Sequence, residues 1–166
     1  MEEVTSGSDL SPTRIATNTG VCIAALMLIF SALGWQKMSW ITFFSGIYFG
    51  MKFFKRELGG IIVYYRALSA GFQSAFFTSF IIAFFAYLNV YFEPSLIETT
   101  IETMEQQMRT YGIPAVTIDS VIQQWRGILS PAVIAGATIF AYSATGGLAA
   151  ILLAFLVRNN KPAENL

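Results

Sequence analysis

The chain has 166 residues and a net charge of zero; 55% of its residues are hydrophobic and only 12% are charged. An average soluble domain has about 25% charged residues, so the composition excludes disorder and disfavours a soluble domain. The chain contains no histidine, Cys22 is its single cysteine, and it has no basic surplus. We therefore expect no cofactor, no metal site, no internal disulfide and no nucleic acid partner.

Residues 1–14 are predicted to form a polar N-terminal tail, and residues 15–166 a single membrane domain. The first uncharged run, residues 15–36, is roughly 33 Å long as a helix, enough to cross a hydrocarbon core of about 30 Å. A secretory signal is the alternative. Acidic residues precede the run and no small-residue cleavage pattern follows it, so we expect the helix to stay in the mature protein.

The second predicted span, about residues 38–54, is shorter. It can cross the bilayer only if the side chains of Lys37 and Lys52 extend toward the headgroups, so that their ammonium groups lie outside the hydrocarbon core. A re-entrant segment is the alternative. Few residues separate Trp35 from Trp40, so the first two helices should form a tight antiparallel hairpin with both indoles near one interface.

The third and fourth spans are predicted at about residues 67–92 and 130–157. The last uncharged run begins at residue 127. A single helix over the whole run would be longer than a bilayer is thick. Proline fits a first helical turn and serine can cap it, so we place the start of the fourth span near Ser130 and Pro131.

The segment between these two spans is predicted to form two helices, at about residues 95–111 and 117–129. Ser95 and Glu98 have the spacing of a reciprocal capping arrangement, and Gly112 with Pro114 should end the first helix. The two helices either pair as a hairpin or lie along the membrane surface. Their acidic residues either face solvent or bind a cation or a basic partner.

Lysine and arginine concentrate on one side of this predicted topology. With both termini in the cytoplasm, the inner side carries seven of the ten basic residues: Arg14, Lys52, Lys55, Arg56, Arg66, Arg158 and Lys161. The positive-inside rule therefore favours cytoplasmic termini. The predicted fold is an all-α, four-span transmembrane helical bundle, with an extracytoplasmic two-helix insertion between spans three and four.

Gly59 and Gly60 are predicted to form a turn on the cytoplasmic side, followed by a membrane-hugging segment. Four basic residues around this turn are candidates for binding anionic lipid headgroups: Lys52, Lys55, Arg56 and Arg66. The alternative is that they only fix the orientation of the protein.

Small residues at regular spacing predict where the helices pack, because association in lipid depends on close backbone approach. The candidate packing residues are Gly46 and Gly50 in the second span, Gly71, Ala75, Ser79 and Ala83 in the third, and Ala137, Ala141, Gly146 and Gly147 in the fourth. Cys22 is expected to be an inert packing residue rather than a nucleophile, since nothing cationic in the sequence is placed to activate its thiol.

From Phe53 to Pro162, the chain resembles the bacterial membrane family Domain of Unknown Function 4199, seen mainly in Bacteroidota. The residues that carry the resemblance are Gly59, Gly60, Ile62, Tyr64, Ala67, Gly71, Tyr91, Phe92, Glu93, Pro94, Ser130, Pro131, Gly146 and Gly147. The resemblance implies a four-span inner-membrane protein with a helical insertion before its last span. It implies no catalytic or binding residue.

The central parts of the predicted spans contain no ionisable Asp, Glu, Lys, Arg or His, which coupled transporters and proton relays usually need. We therefore predict a non-enzymatic protein that packs with other membrane helices, as a homo-oligomer or as an accessory subunit of a larger complex. The alternative is a small carrier, channel or lipid-binding protein with an intramembrane site made of Gln73, Asn89, Tyr142 and Thr145. An enzyme would have to rely on Glu57 or on the exterior carboxylates of Glu98, Glu102 and Glu105.

Overall fold

A computed structural model of the chain describes residues 12–159, which form six α-helices and no β-strand. The helices are α1 (Pro12–Ala32), α2 (Gln36–Glu57), α3 (Tyr64–Phe92), α4 (Ser95–Thr110), α5 (Ala115–Ile128) and α6 (Pro131–Val157). The all-α prediction is confirmed for this part of the chain. Most of the predicted N-terminal tail, and Lys161 near the other end, lie outside the described residues.

Three helices are long and apolar enough to cross a membrane: Thr13–Ala32, Tyr64–Phe92 and Pro131–Val157. The predicted second span lies within α2, one continuous helix of 22 residues. Lysines at both ends of α2 lower its hydropathy, so it is not one of these three candidates. By length and composition, the structure has three candidate spans where the sequence predicts four.

The chain divides into two compact units. One comprises Met1–Ile81 with Ala141–Leu166, of which residues 12–81 and 141–159 are described, and the other comprises Ile82–Phe140. In the first unit, Phe43, Ile47 and Met51 of α2 have no exposed surface. These three residues recur every fourth position and therefore form one stripe along α2.

The turn between α1 and α2 lies earlier than predicted. Gly34 has a φ of +76°, and its amide donates to the carbonyl of Ser31 at 3.0 Å while the amide of Trp35 donates to that of Phe30 at 2.8 Å. A left-handed glycine is a common helix terminator, so α1 ends at Ala32 rather than near residue 36. Lys37 consequently lies in the first turn of α2.

Two glycines bring α2 close to α1. A methyl group added at Gly46 would overlap the side chain of Ile23, and one added at Gly50 would lie 2.6 Å from Thr19 Cγ2. Because α1 and α2 are consecutive and joined by a short turn, they run antiparallel, and these contacts fix their register.

Small residues also bring α3 close to α2 and α6. A methyl group at Gly71 would overlap Met51 Cε, and one at Gly146 would lie 2.5 Å from Ala75 Cβ. Gly147 faces the ring of Phe72. The predicted α3 residues Ala75, Ser79 and Ala83 are all buried. The hydroxyls of Ser79 and Ser143 are 2.8 Å apart and join α3 to α6.

The packing face of α6 differs from the predicted one at Ala137 and Ala141 but agrees with it at Gly146. Ala137 and Ala141 are exposed, whereas Gly146, Ala150 and Ala154 are buried. These three buried residues repeat every fourth position, on a line rotated by about 100° from the one that contains Ala137 and Ala141. Small residues occupy several faces of this helix, and only its neighbours determine which face packs.

The second unit contains a helical hairpin of α4 and α5. Ile101 and Ile118 are each 1% exposed, and with Ile122 they form a small apolar core. Arg126 adds an ion pair to Glu98 at 3.1 Å. Of the two arrangements open from the sequence, pairing of the helices is therefore the one observed.

The predicted capping arrangement at the start of α4 is wrong. Ser95 is the first helical residue, Pro94 occupies the capping position, and no side chain caps the helix. The amides of Leu96 and Ile97 donate instead to the carbonyls of Glu93 and Pro94, so the preceding turn satisfies them. At the start of α6, by contrast, Ser130 Oγ accepts from the amide of Val133 at 3.3 Å, as predicted.

Candidate functional site

A groove of about 1080 Å³ runs along the seam of α1 and α2 in the first unit. On α1 it is lined by Asn18, Cys22 and Leu26, which share one helix face because they are four residues apart. On α2 it extends from Thr42 to Arg56. We refer to this space as the α1–α2 groove.

The groove exists because small side chains lie beside a close helix contact. Gly46 and Gly50 hold α2 against α1 along one line. Next to that line, the short side chains of Cys22, Thr42 and Ser45 leave space that larger residues would fill. The sequence predicted Cys22 as a packing residue, and this is wrong, because Cys22 is exposed in the groove.

Most of the groove wall is apolar, although several lining residues have hydroxyl groups. The Thr19 hydroxyl donates to the carbonyl of Ile15 at 2.8 Å, and the Ser45 hydroxyl to that of Ile41 at 2.7 Å. A hydroxyl whose proton is donated to a carbonyl of its own helix needs no polar ligand to accept that proton. Leu26, Phe49 and Phe53 supply apolar surface along the same wall.

One end of the groove is basic. Lys52, Lys55 and Arg56 line it there, beside Gly59 and Gly60, and no acidic residue is among the described residues that line it. This end lies at the N-terminus of α1 and the C-terminus of α2, because the two helices are antiparallel.

The three basic residues have different surroundings. The ammonium of Lys55 donates to the carbonyl of Val157, the last residue of α6, at 2.9 Å, and Lys55 is half-buried. Lys52 and Arg56 are exposed, and the Lys52 ammonium lies 5.6 Å from the ring centre of Tyr48. Lys55 is therefore engaged by the fold, whereas Lys52 and Arg56 face outward.

The turn after α2 keeps the basic end in place. Gly59 and Gly60 have φ angles of +76° and +87°, a conformation that favours glycine, and the amide of Gly60 donates to the carbonyl of Lys55 at 2.9 Å. Asn159 holds the turn from the other side, because its side-chain amide donates to the carbonyl of Gly60 at 3.1 Å. The predicted turn is therefore present.

Comparison with protein families identifies the chain. A family model described as "Protein of unknown function (DUF4199)" matches residues 14–159. The chain belongs to the DUF4199 family. The match includes α1 and α2, whereas the resemblance seen in the sequence extends from Phe53 to Pro162. No curated protein and no solved structure matches the chain.

In this DUF4199 member, the polar residues proposed as an intramembrane site are distributed among different environments. Gln73 lines a cavity of about 340 Å³ with Phe72 and Phe76, and its amide nitrogen donates to Ser69 at 3.4 Å. Asn89 lines another cavity of about 340 Å³, beside Thr99.

Tyr142 packs among aromatic rings rather than facing either of these cavities. Its ring stacks on that of Trp40 with centroids 5.2 Å apart and meets the ring of Phe43 edge-on at 5.5 Å. Thr145 is half-buried on the same helix. The cavity linings therefore do not bring the four predicted residues together at one site.

The carboxylates of α4 and the guanidinium of Arg66 do not line the α1–α2 groove either. Glu105 pairs with Arg109 at 2.7 Å, and Glu98 with Arg126, both at exposed positions of the hairpin. Arg66 lies in the first turn of α3 and is exposed. Across residues 12–159, no three side chains of His, Cys, Asp or Glu lie close enough together to hold a metal ion.

The sequence of this DUF4199 member did not predict the α1–α2 groove as one site. Asn18 and Cys22 are separated by four residues on α1, as Ser45 and Phe49 are on α2, and this spacing was available in the sequence. The sequence does not give the rotation of each helix about its own axis, and that rotation decides whether the two faces meet.

Proposed function

We propose that the chain is a non-enzymatic integral protein of the bacterial inner membrane that binds a membrane lipid in the α1–α2 groove. The observation that carries the proposal is the shape and chemistry of that groove, about 1080 Å³ of mainly apolar space with basic residues at one end. A molecule that fits it has an apolar chain and a polar head.

Four transmembrane spans, including α2, belong to the proposal. Two features support α2 as a span. It has 22 residues and is about 33 Å long, and it lies antiparallel to α1, itself a candidate span. Its residues Phe43 and Met51 are enclosed by the other helices of the unit, whereas Ile41 and Phe49 give α2 exposed apolar surface of the kind that lipid contacts.

Cytoplasmic termini also belong to the proposal. The basic residues near the N-terminus of α1, the turn between α2 and α3 and the C-terminus of α6 outnumber those near the opposite helix ends. The positive-inside rule supports this orientation. The basic end of the groove then lies at the cytoplasmic headgroup layer, and the α4–α5 hairpin lies outside.

Single-cysteine labelling tests this topology. In a Cys22→Ser background, Thr110→Cys should react with a membrane-impermeant maleimide added to intact cells, whereas Glu57→Cys should react only after the cells are opened. The reverse pattern, or labelling of both positions in intact cells, would contradict the proposed topology.

Filling the groove tests the function. Ser45→Trp places an indole in the groove, whereas Leu152→Trp places one on an α6 surface that is 69% exposed. Native mass spectrometry in mild detergent should find bound lipid on the wild type and on Leu152→Trp, but little on Ser45→Trp. Equal lipid on all three proteins would show that the groove is not the site.

Association with another membrane helix is a second candidate function. The observation that favours it is the exposed pair of small residues Ala137 and Ala141 on α6, which would allow a second helix to approach closely. Size analysis in mild detergent should then show an oligomer or a bound partner that Ala141→Phe disrupts. A monomer with no partner would count against this candidate.

A further inference from the structure

We infer that the lipid in the α1–α2 groove is an anionic phospholipid, and that Lys52 and Arg56 select its headgroup. This inference rests on the proposed function, since it specifies the occupant of the same groove. Its basis is the combination of one-leaflet length, apolar walls and two outward-facing cations at one end.

The length of the groove fits one leaflet of a bilayer. Its lining on α2 extends from Thr42 to Arg56, which corresponds to about 21 Å along a helix axis. Half of a bilayer, including the headgroup layer, is about 20–22 Å. An acyl chain lying against Leu26 and Phe49 therefore has its headgroup near Arg56.

The polar lining residues lie at the depth where a phospholipid is polar. Thr19 contacts Gly50, so its neighbour Asn18 lies less than one helical turn from Lys52 along the groove. Asn18 is exposed and its amide can donate hydrogen bonds, which suits the ester carbonyls between acyl chain and phosphate. The order along the groove is thus cation, amide and apolar wall.

Charge determines which headgroup is preferred. Lys52 and Arg56 are four residues apart on α2, so one phosphate group can approach both. The ammonium of Lys55 donates a hydrogen bond to the carbonyl of Val157, so we assign Lys55 a structural role rather than a role in headgroup binding. Glu57, the nearby acidic residue, is not in the groove lining. A zwitterionic headgroup brings its own cation toward Lys52 and Arg56, whereas phosphatidylglycerol brings only the negative charge.

Cys22 provides the measurement, because it is the only cysteine of the chain and it lines the groove. The full-length protein is stripped of lipid in mild detergent, and the rate at which N-ethylmaleimide alkylates Cys22 is followed by mass spectrometry. Phosphatidylglycerol and phosphatidylethanolamine of the same acyl composition are titrated separately. A lipid in the groove shields Cys22 and slows alkylation.

We expect phosphatidylglycerol to protect Cys22 at a lower concentration than phosphatidylethanolamine. Each of Lys52→Gln and Arg56→Gln should reduce that preference by about 5-fold, the effect of about 1 kcal/mol per basic residue at a membrane surface. Lys52→Arg should retain it. Arg66→Gln is the matched control, since Arg66 is exposed but does not line the groove, and it should leave the preference unchanged.

The outcomes separate the inference from the function on which it rests. Equal protection by the two lipids would overturn the anionic headgroup and leave lipid binding intact. No protection by either lipid would overturn both. Slow alkylation without lipid that becomes fast when residues 1–11 are removed would show that the chain's own N-terminal segment fills the groove, which also overturns both. Thermal unfolding of each variant in detergent confirms that it is folded.

Discussion

The ammonium of Lys55 lies 2.9 Å from the carbonyl oxygen of Val157, 102 residues further along the chain. Val157 is the last residue of α6, where helix carbonyls have no partner within the helix and carry partial negative charge. Lys55 thus joins the end of α2 to the end of α6.

Removing this donor should weaken the first unit. We expect Lys55→Met to lower the free energy of unfolding by about 1 kcal/mol, because a charged hydrogen bond at a helix terminus is lost while most of the apolar stem of the side chain is kept. Titration with a denaturing detergent measures this change. Lys37→Met removes a lysine from the first turn of α2 and should have little effect; equal losses in both variants would contradict the role of Lys55.

Two glycines of α6 should respond in opposite directions to replacement by alanine. At Gly146 the added methyl would lie 2.5 Å from Ala75 Cβ and 2.9 Å from Phe43 Cζ, so Gly146→Ala should destabilise the protein by about 1–3 kcal/mol. At Gly136 nothing lies within 4 Å, so Gly136→Ala should stabilise the helix by about 0.5–1 kcal/mol. Melting temperatures of the two variants in detergent test the prediction, and an identical shift would disprove it.

The α4–α5 hairpin should depend on its apolar core more than on its ion pair. Ile101 is 1% exposed, and Ile101→Ala should destabilise the hairpin by about 2 kcal/mol or more. Glu98→Gln should cost less than about 1 kcal/mol, because the Glu98–Arg126 pair is exposed. Hydrogen exchange of the α4 and α5 amides reports the difference. Val116→Ala, at a position 83% exposed, serves as the control.

The hydroxyl pair of Ser79 and Ser143 should contribute modestly to helix association. Their oxygens are 2.8 Å apart, and a double-mutant cycle with Ser79→Ala and Ser143→Ala should give a coupling energy of about 0.6 kcal/mol, the average for such bonds between membrane helices. Additive effects of the two substitutions would show that the bond contributes nothing to stability.

The sequence predicted helix type and position well where long uncharged runs and terminators coincide. Ser130 and Pro131 begin α6, and Gly112, with a φ of +73°, follows the end of α4. These features are local, because a serine hydroxyl or a glycine backbone acts on residues close to it in the chain. The α1–α2 turn lies earlier than predicted, because Gly34 adopts a left-handed conformation and ends α1 before residue 36.

The arrangement of the helices was less predictable. Ala137 and Ala141 have the same small size and spacing as Gly146 and Ala150, and only the second pair is buried. Hydropathy is a similarly incomplete guide to packing, because Lys37 and Lys52 lower the hydropathy of α2 although Phe43 and Met51 are fully enclosed. Helix rotation and neighbour choice depend on long-range contacts that a periodic pattern in one helix does not contain.

The enclosed stripe on α2 has a consequence for biogenesis. Met51 contacts Gly71 of α3, and Phe43 contacts Gly146 of α6. Gly146 leaves the ribosome about a hundred residues after Phe43. While α6 is still being synthesised, the ring of Phe43 lacks that contact and is more exposed than in the complete protein. A nascent chain stalled before residue 146 should therefore be the form most readily captured by membrane chaperones or degraded by quality-control proteases.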